Sequence, residues 1–135
     1  MDNNTKNQKG SPSRDDFKRA HKDLSRRFYA CDLDFVLVEK FPYPDIVAVL
    51  DYKQHGDAIT FTETIAYNAL VRRGLPVFIV TGAVATGAFR IERYVGGHHA
   101  TPRTELEFLR MTASWEEFEA WEQSLRDAYR NRFRQ

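Results

Sequence analysis

Apolar positions along the chain fall into blocks of different period, and each period predicts a different element. Phe17, Ala20, His21, Leu24 and Phe28 recur at threes and fours. That spacing predicts an amphipathic helix, with Ser13 as N-cap and with Asp15 and Asp16 favoured by the dipole of its first turn. Its other face carries Lys18, Arg19, Lys22, Arg26 and Arg27. In residues 31–53, CDLDFVLVEKFPYPDIVAVLDYK, the period changes to two, the signature of strands whose side chains alternate between faces. Leu33, Phe35 and Leu37 share one face of the first strand; Asp32, Asp34, Val36 and Val38 share the other. The second strand sets Ile46, Ala48, Leu50 and Tyr52 against Val47, Val49, Asp51 and Lys53. Both faces are apolar except at one acidic end, which predicts a sheet covered on both sides. Pro42 and Pro44 belong to the connection, where a missing N–H costs nothing.

The helical period returns after Lys53. Gly56 suits a turn, and Thr60 with Glu63 forms a capping box ahead of Phe61, Ile65, Ala66, Ala69 and Leu70. Gly74 and Pro76 stop that helix. Val77 to Val80 is a continuous apolar run, read as a buried strand parallel to the one ending at Lys53. Gly82 and Gly87 predict a mobile loop. Phe89, Ile91 and Tyr94 or Val95 then alternate as an edge strand bearing Arg90, Glu92 and Arg93. His98 and His99 follow two glycines without a third ligand, so they read as a flexible loop. Ser114 to Glu117 forms a second capping box, opening a helix with Phe118, Trp121, Leu125 and Tyr129 on one stripe and Arg126, Arg130, Arg132 and Arg134 towards its end. The order is helix–strand–strand–helix–strand–strand–helix, an α/β domain whose central mixed sheet is flanked by helices.

Composition narrows the function classes. A length of 135 residues fits one domain. Residues 1–13 hold no large apolar side chain after Met1 and predict a disordered tail, leaving 14–135 as a single α/β domain. A net charge of +1 gives no global nucleic-acid signal; the basic faces of the first and last helices read first as solvated faces, with local phosphate contacts as the alternative. The single cysteine, Cys31, excludes an internal disulfide framework and a cysteine zinc site, and suits a reducing compartment. No apolar run reaches membrane-spanning length and the N-terminus is too polar for a signal peptide, so a cytoplasmic protein without membrane contact is expected.

The acidic end of the hairpin carries the chemistry. A loop centred on Pro42 and Tyr43 sets Asp34 opposite Asp51, with Lys53 on the same face. Carboxylates brought together at the end of a buried sheet need a cation or a proton. Mg²⁺ takes one or two carboxylates and keeps several waters. The plainer alternative is a salt bridge from Lys53 to Asp32 or Asp34. His55 reads as a passive loop residue, and Glu63 as a helix cap with a supporting role at the site.

Asp34, an apolar hairpin and then Asp51-Tyr52-Lys53 resemble the bipartite signature of the PD-(D/E)XK nuclease superfamily, over roughly residues 28–95, with a fainter echo in TELEFLRM. Asp51 stands where glutamate is common. Asp45 falls in the turn, too late to be the first ligand, so Asp32 or Asp34 must serve. The resemblance implies a restriction-endonuclease-like fold and a Mg²⁺- or Mn²⁺-dependent nuclease acting on DNA or RNA. Asp34 and Asp51 would be the metal ligands, Asp32 a third, and Lys53 the catalytic lysine. A catalytically inactive nuclease-like binding module is the alternative. A homodimer would pack the last helix through Trp121 and Tyr129.

Overall fold

The computed structural model describes residues 12–22, 33–54, 56–96 and 103–133. The chain divides into two units, Met1–Ala30 and Cys31–Gln135. The described part of the first is α1 (Pro12–Lys22), a helix whose Phe17 is exposed. It begins one residue before the expected cap at Ser13. Leu24 and Phe28 of the expected apolar stripe lie outside the described residues, as do residues 1–11 of the expected tail.

The second unit holds β1 (Phe35–Glu39), β2 (Asp45–Lys53), α2 (Phe61–Arg72), β3 (Val77–Ala83), β4 (Ala88–Tyr94), β5 (Leu106–Met111) and α3 (Trp115–Asn131). The strands form one mixed sheet in the order β1-β2-β3-β4-β5. Only β2 and β3 are parallel, joined through α2. This is the expected α/β architecture with one strand more. The segment TELEFLRM forms β5 on the far edge, so β4 is an interior strand. Polar and apolar residues are mixed on both faces of β5 and most of it is exposed, which leaves no alternation to read.

Two cores lie on the two faces of the sheet. Ala48, Leu50, Phe78, Val80, Phe89 and Ile91 pack with Phe118, Trp121 and Tyr129 of α3. Val49, Val77, Ile79 and Tyr94 pack with Tyr67 of α2. Trp121 and Tyr129 are therefore core residues, buried within their own chain, and do not present the dimer face expected of them.

α3 also clamps the hairpin. Its N-cap Ser114 accepts from the Glu117 amide at 3.2 Å, while the Glu117 carboxylate accepts from the Ala113 amide at 2.9 Å, so the capping is displaced by one residue from the box expected. At the other end Arg126 and Arg130 both donate to the buried Glu39, at 2.8 and 2.9 Å, and the Tyr129 hydroxyl donates to the Tyr43 carbonyl at 2.7 Å. These two arginines are thus structural ligands of a carboxylate and not a solvated basic face. Hydrogen bonds from both guanidiniums outweigh burial and hold the Glu39 carboxyl down to about 2.

The expected mobile loop is a tight turn. β3 runs on to Ala83, so Gly82 lies inside the strand. Gly87 closes residues 84–87 at φ +80°, with the Trp115 amide nitrogen only 2.3 Å from where a Cβ would stand. The turn is packed against the start of α3, and the Trp115 indole donates to the Val84 carbonyl at 2.8 Å. No described helix is long and apolar enough to cross a membrane.

Candidate functional site at the end of β2

The β1–β2 register runs Phe35↔Leu50, Val36↔Val49 and Leu37↔Ala48. Continued by one residue, it sets Asp34 beside Asp51. An extra residue, Val47, bulges out of β2 farther along, beyond the stretch that aligns the acids, so it packs with Ala48 and Leu50 on the α3 face and not with Val49 as strict alternation predicts. Asp34 is fixed by more than its place in the chain: its carboxylate accepts the Tyr52 amide at 2.8 Å. Asp51 is 3% exposed, held between the sheet and α2. The hydroxyl of the fully buried Tyr67 donates to it, and the Tyr67 ring packs on Tyr94 with centroids 5.6 Å apart.

Lys53 shares that face of β2, two residues on. Its ammonium pairs with Glu63, both side chains about one-seventh exposed. This is a different partner from Asp32 or Asp34, the ones the sequence suggested. Glu63 has two duties. Its carboxylate accepts the Thr60 amide at 2.9 Å while the Thr60 hydroxyl accepts the Glu63 amide at 3.1 Å, which is the expected capping box; its other oxygen takes Lys53. Burial pushes the Glu63 carboxyl up, but the Lys53 hydrogen bond, the Thr60 amide and the Lys53 charge together hold it below the ordinary carboxylate range.

The face that α2 turns to the sheet departs from the apolar stripe. Phe61 and Ile65 are exposed, whereas Thr64, Tyr67 and Asn68 are buried, with Leu70 and Val71 packed beside them. Glu63 and Tyr67 are one helical turn apart, so they descend together on Lys53 and Asp51. The Thr64 hydroxyl lies 2.9 Å from that of Thr104, tying the same face to the segment before β5. Across the sheet the row continues through Ile79 to Glu92, by the registers Asp51↔Ile79 and Ile79↔Glu92. Glu92 pairs with Arg90 at 3.6 Å. Glu63 as the lysine's partner, Tyr67 and Glu92 were not legible as site residues. For the first two a signal existed: polar side chains at i and i+4 of a helix that begins where the lysine strand ends.

The structure thus brings Asp34, Asp51 and Lys53 together, and adds Glu63 and Tyr67. Asp32, His55, His98 and His99 lie outside the described residues. Asp34 and Asp51 stand opposite each other by register, one accepting the Tyr52 amide and the other the Tyr67 hydroxyl. Among the described residues there is no group of three or more His, Cys, Asp or Glu arranged to hold a metal ion. No family model, curated protein or solved structure matches this chain.

Proposed function

We propose that the chain is a metal-dependent phosphodiester hydrolase, a nuclease acting on DNA or RNA, with its site at the end of β2. The observation that carries this reading is the juxtaposition of Asp34 and Asp51 across the hairpin with Lys53 on the same face. Two aspartate carboxylates are hard oxygen donors, and they fit a Mg²⁺ or Mn²⁺ ion that keeps waters on its remaining positions. Such an ion, when bound, supplies Lewis acidity to a phosphoryl oxygen and lowers the pKa of a bound water. The resemblance of Asp34 and Asp51-Tyr52-Lys53 to the PD-(D/E)XK signature supports the same roles.

The chain's own residues divide the remaining work. Lys53 orients the attacking water and offsets negative charge on the phosphate as it is cleaved. Glu63 fixes where the Lys53 ammonium stands, and Tyr67 fixes the rotamer of Asp51. The test is cleavage of single-stranded DNA, duplex DNA and RNA in Mg²⁺ or Mn²⁺ by the wild type and by Asp51→Asn, with circular dichroism as the check on folding. Asp51→Asn is expected to lose at least about a hundredfold in rate, a few kcal/mol of transition-state stabilisation, and to stay folded. Cleavage at the wild-type rate in that variant would sink the assignment.

A second reading has its own support. Glu63 already occupies Lys53, and Tyr67 already donates to Asp51, as in a closed cluster that stiffens a catalytically inactive binding module. Metal titration separates the two. An ion present at ten times its dissociation constant stabilises the native state by about 1.4 kcal/mol, which moves the melting temperature by several degrees. A hydrolase site gives that shift, and Asp51→Asn abolishes it; a closed cluster gives none.

A further inference from the structure

β1 forms one of the two edges of the sheet. β1 is the first strand in the order β1-β2-β3-β4-β5, and among the described residues no strand pairs with its far side. Edge strands of soluble proteins are ordinarily blunted by charges, by proline or by a covering element. This one reads Phe35-Val36-Leu37-Val38-Glu39, and Phe35, Val36 and Val38 are 57%, 46% and 61% exposed. Its one charged residue does not guard the edge, because Glu39 is drawn onto Arg126 and Arg130. Phe41, just past the strand, is 77% exposed.

We infer that two copies of this chain join edge to edge through β1, antiparallel about a two-fold axis at Leu37, to form one ten-stranded sheet. Apart from Phe35, which falls opposite Glu39, the residues about the axis match themselves in this register. Leu37 meets Leu37 of the second copy, and Val36 meets Val38, apolar against apolar on the α2 face. One step farther out Asp34 meets Lys40, opposite charges on that face, and Leu33 meets Phe41. A shift of one residue turns the valines away from each other and separates Asp34 from Lys40, so the register is specified. The charge complementarity is what selects a second copy as the occupant: Lys40 and Asp34 bracket the same five residues. A consequence rests on the hydrolase reading: each copy would bring a lysine of the other beside a carboxylate of its site. Five residues of strand bury less than the roughly 800 Å² per partner of a standard interface, so the dimer is reversible and depends on concentration.

Sedimentation velocity over a dilution series tests the interface. The wild type is expected to approach twice its 15.7 kDa mass at the upper end of the series. Val38→Lys, at an exposed position, is expected to weaken association by at least about tenfold while leaving the circular dichroism unchanged. Register is tested by oxidation in a Cys31→Ser background. A mixture of Val36→Cys and Val38→Cys chains should cross-link faster than either alone, since directly opposed positions bring Cα atoms to about 4.5–5.5 Å. A monomer at every concentration, a dimer indifferent to Val38→Lys, or cross-linking equal in all three samples would each overturn the proposal. The readouts are separable from catalysis: a monomer that still cleaves removes the dimer alone, and a dimer that never cleaves removes the hydrolase alone.

Discussion

Tyr67→Phe is the most informative single change, because it removes one hydroxyl and leaves the ring that fills the site. The ring packs on Tyr94 and is fully buried, so the substitution opens no cavity larger than an oxygen atom. What is lost is a hydrogen bond to the buried carboxylate of Asp51. Bonds to charged groups contribute about 1.5–3 kcal/mol, and loss of a donor to a buried acceptor exposes part of its desolvation cost. A loss near 2 kcal/mol at pH 7 follows, equivalent to roughly 8 °C in melting temperature for a unit of this size. Urea and thermal denaturation followed by circular dichroism measure it. The decisive control is the double variant with Asp51→Asn. Without the carboxylate charge the hydroxyl has less to stabilise, so Tyr67→Phe should then cost well under 1 kcal/mol, and the two changes should couple by about 1 kcal/mol or more. Equal cost of Tyr67→Phe in both backgrounds would show that the hydroxyl does not act through Asp51.

The clamp on Glu39 gives a pH dependence of fixed sign. Its folded carboxyl is held at about 2 against an ordinary 4.5, so the stability it contributes is complete above 4.5 and fades as pH falls towards 2. Urea midpoints of the wild type should fall across that window more steeply than those of Glu39→Gln, and parallel curves would refute the clamp. Glu63, also held low, adds to the slope in the same direction. Gly87→Ala should destabilise the unit by about 2 kcal/mol or more, through a positive φ and a Cβ driven against the Trp115 backbone. An unchanged melting temperature would mean that the turn is free to move away from α3.

The parts of the fold that follow from strong local signals were legible. The hairpin follows its alternation except at Val47, where a bulge that no single strand announces carries that side chain to the other face, and its turn lies around Pro42 as expected. The stripe Phe118, Trp121, Leu125 and Tyr129 marks the side of α3 that meets the sheet. What escaped depended on contacts that a single segment does not contain. β5 has no alternation because it packs weakly on either face. α2 was misjudged for a different reason. Phe61, Ile65, Ala66, Ala69 and Leu70 form a plausible apolar face, yet the helix is turned so that Thr64, Tyr67 and Asn68 lie inward. The surface it must match is the end of β2, where Asp51 and Lys53 replace valines. Burying hydrocarbon against a carboxylate and an ammonium would leave both without hydrogen bonds, whereas a tyrosine and a glutamate supply them. The rotation of α2 is thus a consequence of the same residues that make the candidate site, and it could be read only once helix and strand were seen together.

Two buried acids in this chain invite comparison, because they meet the same physical difficulty in different ways. Glu39 is met by two guanidiniums at hydrogen-bond distance. That arrangement suits a permanent strut between a hairpin and a helix, since arginine stays charged at any pH the protein meets. At the end of β2 the partners are of a different kind. There the Lys53 ammonium pairs with Glu63, the Tyr67 hydroxyl donates to Asp51, and the Tyr52 amide donates to Asp34. A leucine at position 51 would extend the apolar surface of Val49 without the electrostatic cost of a buried charge, and replacing buried ionic groups by apolar ones is often neutral or stabilising. Metal titration of the wild type against Asp51→Asn therefore bears on the proposed function more directly than any measure of stability, because only a bound cation would make the two chains differ in their response to metal.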